Sequence, residues 1–181
     1  YSLSGSDASS MSINSSSGVL TFSNAPDYET KSSYSATVTA SDGTNSATQN
    51  ITVNVTNVND NTPSITSSAT FSAAENQTAI GTISASDPDG DTLTYSLSGT
   101  DASSMSINSS SGVLTFSSAP DYETKSSYTA TVTASDGTDS TSQAITVSVT
   151  DVDDVAPVFT SSATFSAAEN QTAIGTVTAT D

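Results

Sequence analysis

The stretch that decides the fold is "YTATVTASDGTDSTSQAITVSVT", residues 128–150. Apolar residues take every second position in both of its halves: Tyr128, Ala130, Val132 and Ala134 in the first, and Ile145, Val147 and Val149 in the second. A period of two is the pattern of a β-strand that buries one face and exposes the other. The first run ends at "SDG", and both Asp and Gly favour turns. The stretch therefore predicts two strands that direct their apolar residues into a core.

Strand patterns continue on the N-terminal side of this stretch. The segment "FSAAENQTAIGTISASD" predicts two short strands, around Phe71–Ala73 and Ile80–Ala85. Three more runs follow: "TLTYSLS" at 92–98, Met105–Ile107 before the turn "NSSSG", and "VLTFS" at 113–117. No segment shows the period of a helix. About seven short strands in roughly 100 residues predict an all-β fold, a seven-stranded Greek-key sandwich of the immunoglobulin-like type.

The chain repeats itself with an offset of 94 residues. Residues 1–60 match residues 95–154 at 50 of 60 positions, and residues 61–87 match residues 155–181 at 20 of 27. A fixed period of this kind is the signature of a tandem array. We therefore expect the C-terminal part of one unit at 1–60, a complete unit at 61–154 and the N-terminal part of a third at 155–181. Because the chain begins in the middle of the pattern, we expect it to be a fragment of a longer array.

Composition excludes several classes of function. The 181-residue chain carries a net charge of −17, with 19 acidic residues against two lysines, so nucleic acid and anionic membrane surfaces would repel it. Cys, His and Trp are absent, which excludes disulfides, thiolate and imidazole metal ligands and the commonest general base. The remaining donors are hard oxygen atoms, which suit Ca²⁺. No run approaches the ~20 apolar residues of a membrane span, so we expect no membrane insertion.

The carboxylates are concentrated at predicted strand ends. Each unit carries four acidic motifs, which in the complete unit are "AAEN", "SDPDGD", "PDYE" and "ASDG". Two further runs, "NVNDN" and "DVDDV", lie where successive units meet. This ordered set resembles tandem cadherin repeats of the bacterial surface adhesin type, whose pattern is x-E-N, D-x-D, D-x-E, A-x-D and a D-x-N-D-N linker. The resemblance covers the whole chain and implies cadherin-like β-sandwiches with Ca²⁺ at each junction.

The resemblance also implies a ligand set for each junction, with three Ca²⁺ ions in the family pattern. The first would use Asp27, Glu29, Asn57, Asn59, Asp60, Asn61, Asp87, Asp89, Asp91 and Asp136, the linker residues partly through backbone carbonyls. The second would use Glu75, Asp121, Glu123, Asp151, Asp153, Asp154 and Asp181. In the second linker Val155 replaces the last Asn of the pattern, so the two junctions are expected to differ in affinity or ion number. Binding is expected in the ~10⁻⁴ to 10⁻³ M range of extracellular modules.

Charge counting supports this assignment. Asp42 and Glu169 would belong to junctions beyond the two described, which leaves Asp7, Asp101 and Asp139 as ordinary surface charge. Carboxylates concentrated at one point repel one another unless cations neutralise them. With Ca²⁺ each junction should be a stiff bridge, and without Ca²⁺ it should become a hinge.

Other interpretations of these motifs are weaker. Read as an EF-hand, the "SDPDGD" loop would place Ser98 where a Glu is required. A glycosidase pair in "PDYE" lacks any Trp or Arg to bind a sugar, and the many serines have no His to activate them, so we expect no enzyme. "NVNDN" and "SDPDGD" also remain open to interpretation as a plain polar linker and a plain turn.

Three functions remain open. The first is an extender or adhesion segment of a long extracellular or cell-surface protein, with adjacent repeats of the same chain as its partners. The second is a self-assembling fibre subunit, in which residues 155–181 of one copy complete residues 1–60 of another by strand donation. The third is a carbohydrate- or cell-binding module, against which the absence of Trp and the duplicated surface both count.

Overall fold

The structure is a computed structural model that describes residues 1–181. It is built from short strands, two three-residue 3-10 helices (Ala8–Ser10 and Ala102–Ser104) and no α-helix. The strands in residues 1–60 are β1 (Ser2–Ser4), β2 (Met11–Ile13), β3 (Leu20–Phe22), β4 (Ser33–Ser41) and β5 (Ser46–Asn54). Those in residues 61–154 are β6 (Ser64–Ile65), β7 (Thr70–Ala74), β8 (Ala79–Thr82), β9 (Ala85–Ser86), β10 (Thr94–Ser98), β11 (Met105–Ile107), β12 (Val113–Phe116), β13 (Ser127–Ser135) and β14 (Ser140–Thr150). The last are β15 (Val158–Phe159) and β16 (Ala179–Thr180).

Strands β6 to β14 pair only with one another and form a sandwich. One sheet has the order β10-β13-β14-β7, and the facing strands have the order β11-β12-β8, with β6 paired to β9. Strand β7 lies parallel to β14, and the other pairs are antiparallel. The stretch 128–150 forms the β13–β14 hairpin, with Ser127 opposite Ser148 and Ser135 opposite Ser140. The all-β sandwich prediction is confirmed.

The core lies between the two sheets, where the alternating apolar residues meet. Val132, Val147 and Leu114 are fully buried, and Ile83 and Phe116 are nearly so. Burying an aliphatic side chain of this size contributes about 1.5–3 kcal/mol relative to leaving it exposed. The Thr and Ser residues between them point outward and leave the sheet faces covered with hydroxyl groups.

The predicted strand at Ile80–Ala85 is divided into β8 and β9 in the structure. At this point the chain changes partner: the N–H of Ile83 donates to the carbonyl of Gly112 at 2.9 Å, and the carbonyl of Ser84 accepts from Thr66 N at 2.8 Å. Gly112 has φ +70°, and a Cβ there would lie 2.2 Å from the Ile83 carbonyl oxygen. This close approach requires glycine at position 112. The alternation of apolar and polar residues does not reveal where a strand changes its pairing partner, so the division could not be predicted from it.

The other two groups of strands repeat parts of this sandwich. Strands β1, β4 and β5 form one sheet, β2 pairs with β3, and β15 pairs with β16. These correspond through the 94-residue offset to β10, β13, β14, β11, β12, β6 and β9. Val38 and Val53 are only half-buried, whereas their counterparts Val132 and Val147 are inaccessible, because residues 1–60 contain no equivalent of β7 to β9. None of the helices has the length and apolar character needed to cross a bilayer.

Candidate metal centres at the junctions

Three carboxylates from distant parts of the chain meet where residues 1–60 adjoin the sandwich. Glu29 comes from the turn after β3, Asp60 from the linker after β5 and Asp89 from the turn after β9. Each offers an oxygen atom within 4.8 Å of the others. Like charges this close disfavour one another's ionisation unless a cation lies between them. The structure therefore brings three of the predicted ligands together at one point.

The "DPDGD" turn supplies a second cluster that shares Asp89. Oxygen atoms of Asp87, Asp89 and Asp91 lie within 4.8 Å of one another. The turn is held by Gly90, at φ +79°, whose N–H donates to the carbonyl of Asp87, and by Asp91 N, which donates to the Asp87 carboxylate at 3.2 Å. A φ in this range favours glycine, so Gly90 allows the three carboxylates to converge. Asp89 is a member of both clusters.

The linker asparagines act here through their nitrogen atoms. The Asn57 side-chain amide donates to the carbonyl of Asp89 at 2.8 Å, and the Asn61 backbone N–H donates to the Asp89 carboxylate at 2.9 Å. The Asn61 side-chain amide donates to Asp60 at 2.8 Å and to Asp89 at 3.2 Å. These amides hold the carboxylates in place without adding charge, a role that the sequence interpretation as oxygen ligands missed.

The electrostatics of the first junction reflect crowded carboxylates. Desolvation, a hydrogen bond to Asp89 and the charges of Asp89 and Asp27 raise the pKa of Glu29. Desolvation opposes ionisation of Asp89 as well, but the N–H groups of Asn61 and Asp60 and the hydrogen bond from Glu29 lower its pKa overall. The opposite directions of these two pKa shifts show that the carboxylates of Glu29 and Asp89 influence each other's ionisation.

Three buried oxygen atoms at this junction have no hydrogen-bond donor: Asn59 Oδ1, Asp87 Oδ2 and Asp136 Oδ2. Asp136 is fixed by its other oxygen, which accepts from the N–H groups of Thr138 and Asp139, both at 2.7 Å, and the Asp139 hydrogen bond chiefly lowers its pKa. Leaving a buried acceptor unpaired costs about 1–3 kcal/mol. Amide and carboxylate oxygens are ligands that Ca²⁺ accepts, so this donor set fits the ion that the family pattern implies.

The second junction is organised around a buried glutamate. Glu75 is 2% exposed and follows β7 directly. One of its carboxylate oxygens accepts from Tyr122 N at 2.8 Å and the other accepts from Val152 N at 2.7 Å. It therefore joins the end of the sandwich to the "DYE" turn and to the linker. Oxygen atoms of Glu75, Asp121 and Glu123 lie within 4.8 Å of one another.

A cleft beside this glutamate contains the remaining predicted ligands. Its volume is about 360 Å³, and it is lined by Glu123, Asp151, Asp153, Asp154, Val155 and Asp181. A bond from its own backbone lowers the pKa of Glu123, but desolvation and the charges of Glu75, Asp151 and Asp154 outweigh it and raise that pKa. The Asn76 side-chain amide donates to Asp154. Five carboxylates from three segments thus face one space that no lysine lines.

Asp27, like Asp136, is a predicted ligand that lies in none of the three carboxylate clusters. One of its oxygen atoms accepts from the N–H groups of Glu29 at 3.0 Å and Thr30 at 3.1 Å, and the other accepts from the Thr30 hydroxyl at 3.0 Å. The Thr30 N–H is the main reason for the lowered pKa of Asp27. Asp27 therefore organises its own turn, and its role as a metal ligand stays a prediction.

The expectation that Asp7 and Asp101 are ordinary surface charge is wrong. Asp7 pairs with Lys31 and Asp101 pairs with Lys125, and the two aspartate side chains are only 14% and 13% exposed. The sequence carried a signal for these pairs, because both acid and base recur at the 94-residue offset, 24 residues apart. Asp139 is exposed, as expected.

Comparison with known proteins identifies the repeat. The Cadherin domain family model matches residues 68–150. Human protocadherin Fat 1 is 34% identical over 172 residues, which cover 87% of this chain and 4% of that protein. Mouse protocadherin Fat 4 is 33% identical over 142 residues, covering 73% of this chain and 3% of that protein. The chain thus spans a small fraction of these relatives, and because both are animal proteins they give no support to the bacterial subtype.

Solved structures agree with the sequence relatives. The protocadherin gammaB7 EC3-6 cis-dimer has a TM-score of 0.77 and 32% identity, covering 87% of this chain and 42% of that one. Protocadherin gamma B2 extracellular cadherin domains 3–6 have a TM-score of 0.77 and 30% identity with the same coverage. These neighbours share the tandem β-sandwich arrangement. The chain belongs to the cadherin family and consists of tandem cadherin repeats.

Proposed function

We propose that this chain is a calcium-rigidified extender and adhesion segment of a longer extracellular or cell-surface protein, with Ca²⁺ bound at the junctions between repeats. Residues 1–60, 61–154 and 155–181 act as successive repeats, and the strand pairing, which never crosses between these ranges, supports that division. The observation that carries the proposal is the set of buried, unpaired oxygen atoms of Asn59, Asp87 and Asp136.

The proposed ligands are those that the acidic motifs of the sequence predict, and the carboxylate clusters at the junctions support part of this set. At the first junction they are Asp27, Glu29, Asn57, Asn59, Asp60, Asn61, Asp87, Asp89, Asp91 and Asp136. At the second junction they are Glu75, Asp121, Glu123, Asp151, Asp153, Asp154 and Asp181. Ca²⁺ takes six to eight oxygen ligands and supplies the positive charge that these clusters lack. The chain's own residues hold the oxygens in place: Asn61 orients Asp60 and Asp89, and Glu75 fastens the second linker.

The mechanical role follows from the placement of the clusters. Each junction draws ligands from one repeat, from the linker and from the next repeat, so a cation that binds all three removes their freedom to rotate. Without it, desolvation and, to a smaller extent, the charges of neighbouring carboxylates raise the pKa values of Glu29 and Glu123. The partners we propose are adjacent repeats and, for adhesion, further copies of the chain, in line with the name of the gammaB7 cis-dimer structure. We propose neither a catalytic function nor binding to nucleic acid.

A calcium titration followed by small-angle scattering and thermal melting tests this proposal. Adding Ca²⁺ should lengthen the particle and raise the melting temperature, and EDTA should reverse both changes. Asp89→Asn, which changes the residue common to two clusters, should weaken the response at the first junction. Asp139→Asn removes the same charge from an exposed aspartate outside the clusters and is the matched control. If EDTA alters neither length nor melting temperature in the unmodified chain, the junctions are not calcium sites.

A second candidate function is assembly into fibres by strand donation. The observation in its favour is the exposure of apolar residues in 155–181: Ile174 is 67% and Val177 is 61% exposed. Their counterparts Ile80 and Ile83 pack in the core of the complete repeat. A second copy's residues 1–60 offer the matching half-covered strands. Mass measurement in Ca²⁺ should show concentration-dependent oligomers that Val177→Asp abolishes, and a strict monomer would eliminate this candidate.

A further inference from the structure

Each repeat contains one lysine, and it lies directly after the "DYET" turn. The Lys125 ammonium pairs with Asp101 and lies 4.7 Å from the centre of the Tyr128 ring. In the first repeat Lys31 pairs with Asp7 and lies 4.9 Å from the Tyr34 ring. The only two cations among the side chains are therefore committed to the sandwich rather than to the carboxylate clusters.

The aspartate of each pair is firmly attached to a strand. The Asp101 carboxylate accepts from Thr129 N at 2.8 Å, and the Asp101 N–H donates to the Thr129 carbonyl at 3.0 Å. Thr129 belongs to β13, which pairs with both β10 and β14 in the core sheet. The Tyr128 ring beside the lysine packs edge-to-face on Phe116, with 5.0 Å between ring centres. The lysine thus reaches a rigid part of the fold.

The other end of the lysine belongs to the acidic turn. The backbone N–H of Lys125 donates to the carbonyl of Asp121 at 2.9 Å, which closes the turn that carries Asp121 and Glu123. The same bond joins Lys31 to Asp27 at 2.9 Å. A side chain that is anchored to β13 while its backbone closes the turn fixes the turn relative to the sandwich.

We propose that Lys31 and Lys125 are positioning residues for the junction sites. Through their pairs with Asp7 and Asp101 they hold the "DYE" turns where Glu29 and Glu123 can meet the carboxylates of the linkers. Their charge is committed to Asp7 and Asp101, and neither lysine lines the cleft of the second junction. This inference rests on the proposed binding of Ca²⁺ at the junctions.

The two lysines make the same contacts in their repeats. Each pairs with an aspartate whose carboxylate is bonded to the next long strand, Lys31 with Asp7 and Lys125 with Asp101. The turn of the complete repeat is also bonded to Glu75. Loss of either lysine should therefore weaken its own junction.

The test uses Lys31→Met and Lys125→Met, which keep the apolar stem and remove the charge, in the 181-residue chain. Lys31→Arg and Lys125→Arg retain the ion pair, and Asp139→Asn controls for a change in net charge. Calcium titrations followed through the amide signals of Glu29 and Glu123 report each junction separately. Hydrogen exchange of the turn amides in EDTA measures how firmly each "DYE" turn is held to the sandwich when no metal is bound.

We expect Lys31→Met to weaken calcium binding at the first junction about tenfold, the lower end for outer-shell partners of metal ligands. Lys125→Met should weaken calcium binding at the second junction, each variant should spare the other junction, and the arginine variants should restore binding. The turn amides should exchange faster in both methionine variants. Because Lys125 lies in the complete repeat, Lys125→Met still tests the inference if Lys31→Met unfolds residues 1–60.

Two results would overturn this inference while the calcium proposal stands. One is unchanged affinity and unchanged exchange in both methionine variants, and the other is an equal loss at both junctions from either variant, which indicates long-range charge. If the unmodified chain binds no Ca²⁺, the proposed function fails, and the inference fails with it.

Discussion

The two junctions contain similar carboxylates and hold them by different means. In the first linker, amides of Asn57 and Asn61 donate to Asp89 and Asp60. In the second linker the equivalent positions are Asp151 and Val155, and residues 151–155 are all exposed. An amide orders a carboxylate without adding charge, whereas a further carboxylate adds both an oxygen and repulsion. The first junction is therefore partly organised by the protein alone, and the second depends more on cations.

Removal of Ca²⁺ gives the largest expected difference between the junctions. A ligand present at one hundred times its dissociation constant stabilises a protein by about 2.7 kcal/mol, so chelation should lower the melting temperature by several degrees. Apart from Val152, whose N–H is bonded to Glu75, amide exchange in EDTA should rise further at residues 151–154 than at residues 57–61, because the second linker has no asparagine side chains. Equal protection of both linkers in EDTA would show that the asparagines do not organise the first junction.

Glu75→Ala should be the most destabilising single substitution at the second junction. It removes a carboxylate that is 2% exposed and leaves the N–H groups of Tyr122 and Val152 unpaired. Each unpaired buried donor costs about 1–3 kcal/mol, so we expect a loss of about 3 kcal/mol in urea unfolding without metal. Glu75→Gln keeps one acceptor and should cost less. A loss below about 1 kcal/mol for Glu75→Ala would mean that water replaces both bonds.

Exchanging the last linker residue between the two junctions should make their calcium affinities more alike. Asn61→Val removes the amide that donates to Asp60 and Asp89 and should weaken calcium binding at the first junction about tenfold, the equivalent of one hydrogen bond to a charged group. Val155→Asn should strengthen the second junction. Calorimetric titration of the two variants measures both shifts, and a change of the same sign in both would contradict the comparison.

Replacing the aspartate of an Asp–Lys pair should have the smallest effect on the free energy of unfolding, and this effect should be the same in both repeats. The Lys31 hydrogen bond and the Ser35 N–H lower the pKa of Asp7 below 3.8, and Lys125 and Thr129 do the same for Asp101. Because the pKa of each aspartate is lower in the folded state than in the unfolded state, its ion pair stabilises the fold above pH 3.8. This stabilisation is lost as the pH falls through the folded-state pKa. Acid unfolding of Asp7→Asn and Asp101→Asn should therefore depend less steeply on pH below 4 than that of the unmodified chain. If the free energy of unfolding changed with pH in opposite directions in the two variants, the two Asp–Lys pairs would not be equivalent.

The features that could be predicted from the sequence are those that depend on local pattern or on the repeat. Alternation in residues 128–150 predicts β13 and β14, and the ordered acidic motifs predict which segments meet. The division of Ile80–Ala85 into β8 and β9 could not be predicted, because it depends on bonds to Gly112 and Thr66 from other strands. The direction in which the Asn61 amide points is likewise decided by Asp60 and Asp89 after the chain has folded.

The parallel pairing of β7 with β14 has a consequence for a chain under tension. The two strands run in the same direction over five residue pairs, from Thr70 opposite Thr146 to Ala74 opposite Thr150. The N-terminal side of the repeat leads into β7, and β14 leads out into the next linker. Pulling the repeat from its two ends therefore slides these strands past each other, so that their bonds resist together instead of opening one at a time. Glu75, placed at the end of this pair and bonded to Val152, transmits the same force into the junction.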